Sequence, residues 1–178
     1  MAGMATYRID DVIGDAGFFP GDFFAYAAAS AARAVANEIT GFEGLFIDEV
    51  DGAERAEMCD VVHSTTIDPS KMARFERTSV PPQDRVEFGA IAVVAAVLRA
   101  RAHLRIGEVL QIGTKVDYEL VRQDGSAAGV IEFAGTSGRY TSDVAEAKRR
   151  KVRAAGISPG RIGVVAFRGP QLRVEVIA

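Results

Sequence analysis

Cysteine and histidine are scarce in this chain, and their scarcity excludes some chemistry before any motif is read. Cys59 is the single cysteine, so no disulfide can form within the chain, and a reducing compartment fits. With His63 and His103 as the only histidines, a structural zinc site, which usually takes four Cys or His ligands, is short of donors. No run of about 18 apolar residues lacks charge, and the nearest candidate, FGAIAVVAAVLRARAHL, is short and ends in arginines. The first residues hold no basic segment leading into an apolar run and a cleavage site, so the expectation is a cytoplasmic protein that does not engage a membrane. An excess of one charge is lacking too. A net charge of −3 and a pI near 5.5 leave any polyanion binding to a local patch.

What is present suits a folded domain. The 178 residues are 48% apolar and 25% charged, enough to bury a core and too apolar for disorder over most of the length. PGDFFAYAAASAARAVANEITG opens on Pro20-Gly21-Asp22 and closes on Gly41, which predicts a helix over about 22 to 39 whose alanines permit close packing. Asp51-Gly52 then separates two runs that can pair as a hairpin, although AERAEMCDVV also reads as a helix start. DPSKMARFERTSVPPQD is polar, and Pro81-Pro82 marks the best internal boundary, dividing an N-terminal region over 1 to 80 from a core over 84 to 178.

Beyond the prolines the pattern sharpens. Residues 85 to 102 are apolar nearly all round and predict a buried helix. EVLQIG reads as a strand, and KVDYELV and GVIEFAG as a hairpin about Asp124-Gly125. SDVAEAKRRKVRAAG carries matching start and stop signals for a helix, with Thr141 or Ser142 as cap and Gly156 behind it. RIGVVAF is apolar throughout, as a strand buried on both faces would be, and QLRVEVI alternates as an edge strand would. The expected fold is therefore α+β or α/β, a mixed sheet flanked by helices, with an N-terminal helix and hairpin added to it.

A two-residue turn at Asp124-Gly125 makes opposed residue numbers sum to 249, placing Asp117 across from Glu132 and Lys115 across from Ala134. A four-residue loop keeps that face, whereas a three- or five-residue loop turns Glu132 away from Asp117. Two carboxylates about 5 Å apart repel by about 1 kcal/mol in water and about 3 kcal/mol at an effective dielectric near 20. Lys115, a divalent metal, or a retained proton would offset this, and the plain alternative is a solvated face screened by nearby cations.

The order helix, strand, strand with Asp, strand with Glu, helix, buried strand resembles the αβββαβ core of the PD-(D/E)XK (restriction-endonuclease-like) superfamily over residues 84 to 168. That resemblance implies Mg²⁺ bound by Asp117 and Glu132, with Glu87 matching the extra acid some members carry on the first helix. Where the family places its lysine, this chain has Ala134, which weighs against catalysis; Lys115 and Lys148 are the two possible substitutes. The implied functions are a Mg²⁺-dependent nuclease or a catalytically degenerate binding and assembly subunit.

Other features have plainer readings beside functional ones. AKRRKVR, 147 to 153, can contact nucleic-acid phosphates, or be a solvated helix face with Glu146 supporting Arg150. GTSGR can form an anion nest but reads better as an ordinary loop, and Cys59 with His63 reads as structural. Phe18, Phe19, Phe23, Phe24 and Tyr26 form core or a surface for a protein partner or self-association. A non-enzymatic interaction module, or a hot-dog-like dimer with its sheet wrapped round 22 to 39, is the competing architecture.

Overall fold

A strand that is apolar on both faces must lie between two layers, and the residues after Pro159 do so. The computed structural model describes residues 5–13, 27–28, 41–47, 53–62, 68–77, 80–110, 117–140 and 142–177. Its elements are β1 (Ala5–Arg8), α1 (Asp10–Ile13), β2 (Gly41–Ile47), β3 (Glu54–Val62), α2 (Pro69–Glu76), α3 (Pro82–Ala102), β4 (Arg105–Val109), β5 (Tyr118–Val121), β6 (Ala127–Thr136), α4 (Ser142–Ala155), β7 (Gly160–Ala166) and β8 (Gln171–Ile177). All seven residues of β7 are buried, and the strand runs parallel to β6 and antiparallel to β8.

Eight strands make one mixed sheet in the order β1-β3-β2-β8-β7-β6-β5-β4. The period of two sends Ile131, Phe133 and Val165 to one face, where α3 packs, and Val130, Ala134, Ile162 and Val164 to the other, beneath α4. Gly163 lets α3 approach closely, since a Cβ there would lie 2.7 Å from Val94. The result is a mixed sheet with helices on both faces, not the single-helix wrap of a hot-dog fold. Among the described residues no helix is long and apolar enough to cross a membrane.

The N-terminal strands continue this sheet: β2 pairs antiparallel with β3 and parallel with β8. A polar cluster ties them to α3. Tyr7 Oη donates to Glu57 Oε1 at 2.7 Å, and Arg101 Nη1 reaches the same oxygen at 2.6 Å while its guanidinium lies 4.0 Å over the Phe46 ring. Burial pushes the Tyr7 hydroxyl up to about 12, so it stays a donor. Of the helix expected over 22 to 39, only Ala27 and Ala28 are described; both are helical, buried and set against Gly89 of α3. The Asp51-Gly52 turn lies outside the described residues.

Several expectations need correction. Pro81 and Pro82 open α3, as N-cap and first helical residue, because proline lacks only an N–H that the first turn leaves unused. The polar stretch before them contains α2, whose N-cap Asp68 accepts from Ser70 N at 2.7 Å and which has Pro69 at its start. β8 is paired on both sides and is no edge, and β4 begins at Arg105, earlier than EVLQIG suggested.

The β5–β6 turn is also different. Gly125 N donates to Arg122 O at 3.0 Å and Arg122 N to Ser126 O at 2.9 Å, which leaves a three-residue loop with Gly125 at φ 83°. That loop alone would invert the face of Glu132. A bulge corrects it: Val121 faces Ala127 but Leu120 faces Gly129, and beyond this point Glu119 faces Val130 and Tyr118 faces Ile131, restoring the sum of 249. Gly129 has φ 108°, and a Cβ there would collide with Pro159 O. We expect Gly129→Ala to lower unfolding free energy by about 1–3 kcal/mol. Gly125→Ala, with open space around it, should cost only about 1 kcal/mol. Urea unfolding midpoints of the two variants provide the check.

Candidate active site

β6 carries Glu132 at its centre, pointing to the α4 face, and the residue has no exposed surface. An ionised carboxylate there needs cations. α4 supplies two from one face, because residues three apart on a helix are neighbours. Lys148 Nζ lies 3.1 Å from Glu132 Oε2, and Lys151 Nζ lies 2.6 Å from Oε1. The same Lys148 Nζ is 3.9 Å from Asp117 Oδ2.

Asp117 immediately precedes β5, and its backbone is fixed by Leu110 N donating to Asp117 O at 3.0 Å. Its carboxylate, about one-third exposed, also faces Phe133 N at 3.5 Å. Burial pushes the Glu132 carboxyl up to about 7, and a shared hydrogen bond with Asp117 adds to the rise while Lys151 and Lys148 oppose it. Tyr118 next door is pushed up to about 12, by burial first and then by Asp117 and Glu87. Its ring packs edge-on to Phe133 at 5.4 Å.

The structure thus brings together three of the residues expected from sequence: Asp117, Glu132 and Lys148. Glu87 lies on the first turns of α3 with its backbone against Gly135, and its charge reaches Tyr118 and Lys151. It does not converge on the other two acids: among the described residues no group of three or more Asp, Glu, His or Cys side chains is placed to hold a metal ion. Lys115 lies outside the described residues. Ala134 is buried in the cluster under α4 and contributes packing. Lys151 also reaches the site, and no local signal in the sequence distinguishes it from a solvated helix lysine.

Two carboxylates meet around one point, which is occupied by the Lys148 ammonium.

The basic run 147 to 153 is divided between the sheet and solvent. Arg149 grips buried Glu175 through Nε at 2.6 Å and Nη2 at 2.8 Å, Arg173 Nε adds a contact at 2.7 Å, and Glu146 pairs with Arg149 rather than Arg150. Arg150 and Arg153 are exposed, and so is Lys151 although its ammonium reaches Glu132. In the GTSGR loop, Gly138 N bonds Thr136 Oγ1 at 3.0 Å and Gly138 O accepts from Arg168 N at 3.2 Å, as in an ordinary connection. Cys59 is buried, its Sγ 3.6 Å from Phe42 O, and burial pushes the thiol up to about 11, leaving it unreactive. His63 lies outside the described residues.

Comparison with protein-family models, curated proteins and solved structures finds no match.

Burial disfavours ionised Glu175, but the hydrogen bonds from Arg149 and Arg173 outweigh it and hold its carboxyl below 4.5. A depressed carboxylate stabilises the fold above its unfolded value and loses that contribution as pH falls through its folded value. Glu175→Gln should therefore cost about 1.5–3 kcal/mol at neutral pH. The gap in urea midpoint between wild type and variant should narrow below pH 4.5.

Proposed function

We propose that the chain is a PD-(D/E)XK-like, Mg²⁺-dependent phosphodiesterase, a nuclease whose motif lysine is supplied by α4. One observation carries the reading: a single ammonium, Lys148 Nζ, lies 3.1 Å from Glu132 and 3.9 Å from Asp117. The architecture agrees with it. α3, the antiparallel strands β4, β5 and β6, then α4 and β7 parallel to β6 follow the order αβββαβ, with the acids on adjacent strands.

In this reading Asp117 and Glu132 hold the ion, which when bound would polarise phosphoryl oxygens and lower the pKa of a coordinated water. Lys148 orients the attacking water and stabilises charge developing on the phosphoryl group, the role Ala134 cannot fill. Lys151 balances the second oxygen of Glu132 and keeps that buried acid available as an anion despite its raised pKa.

The test is cleavage of single- and double-stranded DNA and RNA with Mg²⁺ or Mn²⁺. Asp117→Ala should abolish cleavage and Lys148→Ala should slow it by about 10²–10³-fold, each read on protein shown by circular dichroism to be folded. A well-folded wild type that cleaves none of these substrates with either metal would overturn the enzymatic reading. Retained nucleic-acid binding in that case would favour the degenerate binding subunit.

A further inference from the structure

The point between Asp117 and Glu132, where the proposed function puts a divalent ion, is filled by the chain itself. Lys148 Nζ stands 3.1 Å from Glu132 Oε2 and 3.9 Å from Asp117 Oδ2. Mg²⁺ bonds carboxylate oxygens at about 2.0–2.1 Å, so an ion on these two oxygens would lie against a like charge. Ion and ammonium cannot both keep that point.

The two lysines of α4 differ in how readily each can be given up. Lys151 Nζ meets the other oxygen of Glu132 at 2.6 Å. Glu132 has no exposed surface, and a buried carboxylate left without a cation is strongly destabilising. With Lys151 in place that need is still met when Lys148 leaves. The Lys148 side chain is 17% exposed and ends a flexible four-carbon stem, so its ammonium can turn to solvent without moving the helix. Arg149, between the two lysines, keeps α4 on the sheet through Glu175 at 2.6 Å.

We propose that Lys148 is the resident cation of this site, holding Asp117 and Glu132 together in the metal-free chain and giving up its place to a divalent ion. Binding of the ion is then a competition with a tethered ammonium. That competition lowers the affinity for Mg²⁺ and keeps the two acids neutralised when the ion is scarce. The displaced ammonium stays beside the site on its stem. The inference rests on the proposed function for the choice of Asp117 and Glu132 as cation ligands, and it is tested by binding in the absence of nucleic acid.

The lysines of the chain are Lys71, Lys115, Lys148 and Lys151, so labelling lysine with ¹³C at the ε carbon gives one signal for each. The signals are assigned by the loss of one in each of Lys71→Arg, Lys115→Arg and Lys151→Met. Titration of the full wild-type chain with MgCl₂, against NaCl of equal ionic strength, should give a saturable shift that is largest at Lys148 and absent at Lys71. Calorimetry with Mn²⁺ should show binding tighter by about tenfold or more in Lys148→Met. Lys151→Met, which removes a charge from the same carboxylate without vacating the point, should tighten it less. The variants are compared where circular dichroism shows them folded, and the wild-type titration decides alone where they are not. Saturable binding with the Lys148 signal unmoved, a larger shift at Lys115 or Lys151, equal tightening in the two variants, or no divalent binding in either wild type or Lys148→Met would overturn the proposal. Binding that displaces Lys148 in a chain that cleaves no nucleic acid would support the exchange and count against the nuclease reading alone.

Discussion

The burial of the Glu132 carboxylate constrains much of what surrounds it. A charge with no exposed surface in the middle of a sheet costs several kcal/mol unless cations meet it, and the local chain has none to offer, since the neighbouring face positions are Val130 and Ala134. The cations must come from the covering helix. α4 therefore docks with Lys148, Arg149 and Lys151 turned towards the sheet, although the same residues read from sequence as a solvated basic stripe.

This gives the two faces of the sheet different physics. α3 buries eleven residues, nearly all aliphatic, and needs glycines at 135 and 163 of the sheet to come close. α4 buries only Ala145 and Val152, so its position rests heavily on directional ion pairs to Glu132 and Glu175. Apolar contact falls off gently with rotation or sliding of a helix. Ion pairs at hydrogen-bonding distance do not, and a helix held by them keeps its side chains in register with the strands below. A site that depends on one ammonium lying between two acids is well served by such an attachment.

The acids themselves depend on a compensating irregularity. The three-residue loop at Gln123-Asp124-Gly125 and the bulge at Ala128-Gly129 each shift pairing by one residue, in senses that cancel. Asp117 and Glu132 share a face because both departures occur. Arg161 on β7 braces this device by donating from Nη1 to the bulge carbonyl of Ala128.

Much of the architecture could be read from residue order alone. The bounds of α4 followed from Asp143 in its first turn and Gly156 beyond its end; the buried character of β7 from its unbroken apolar run; the helix of 82–102 from its aliphatic content. These are local signals, set by propensity, capping and hydrophobic period, and they survive in any tertiary setting. The pairing of Asp117 with Glu132 came from local reasoning too, but through a two-residue turn that the structure replaces by a three-residue loop and a bulge. Lys151 and the Arg149–Glu175 grip were not legible, because charged residues on an amphipathic helix look the same whether they face water or a buried acid. What the sequence by itself determined was the kind and order of elements and the presence of two strand acids with no lysine at the expected place. Only the tertiary structure decided which cation reaches them, since that depends on how α4 is rotated over β6, and residues sixteen apart in the chain carry no local record of the distance between them.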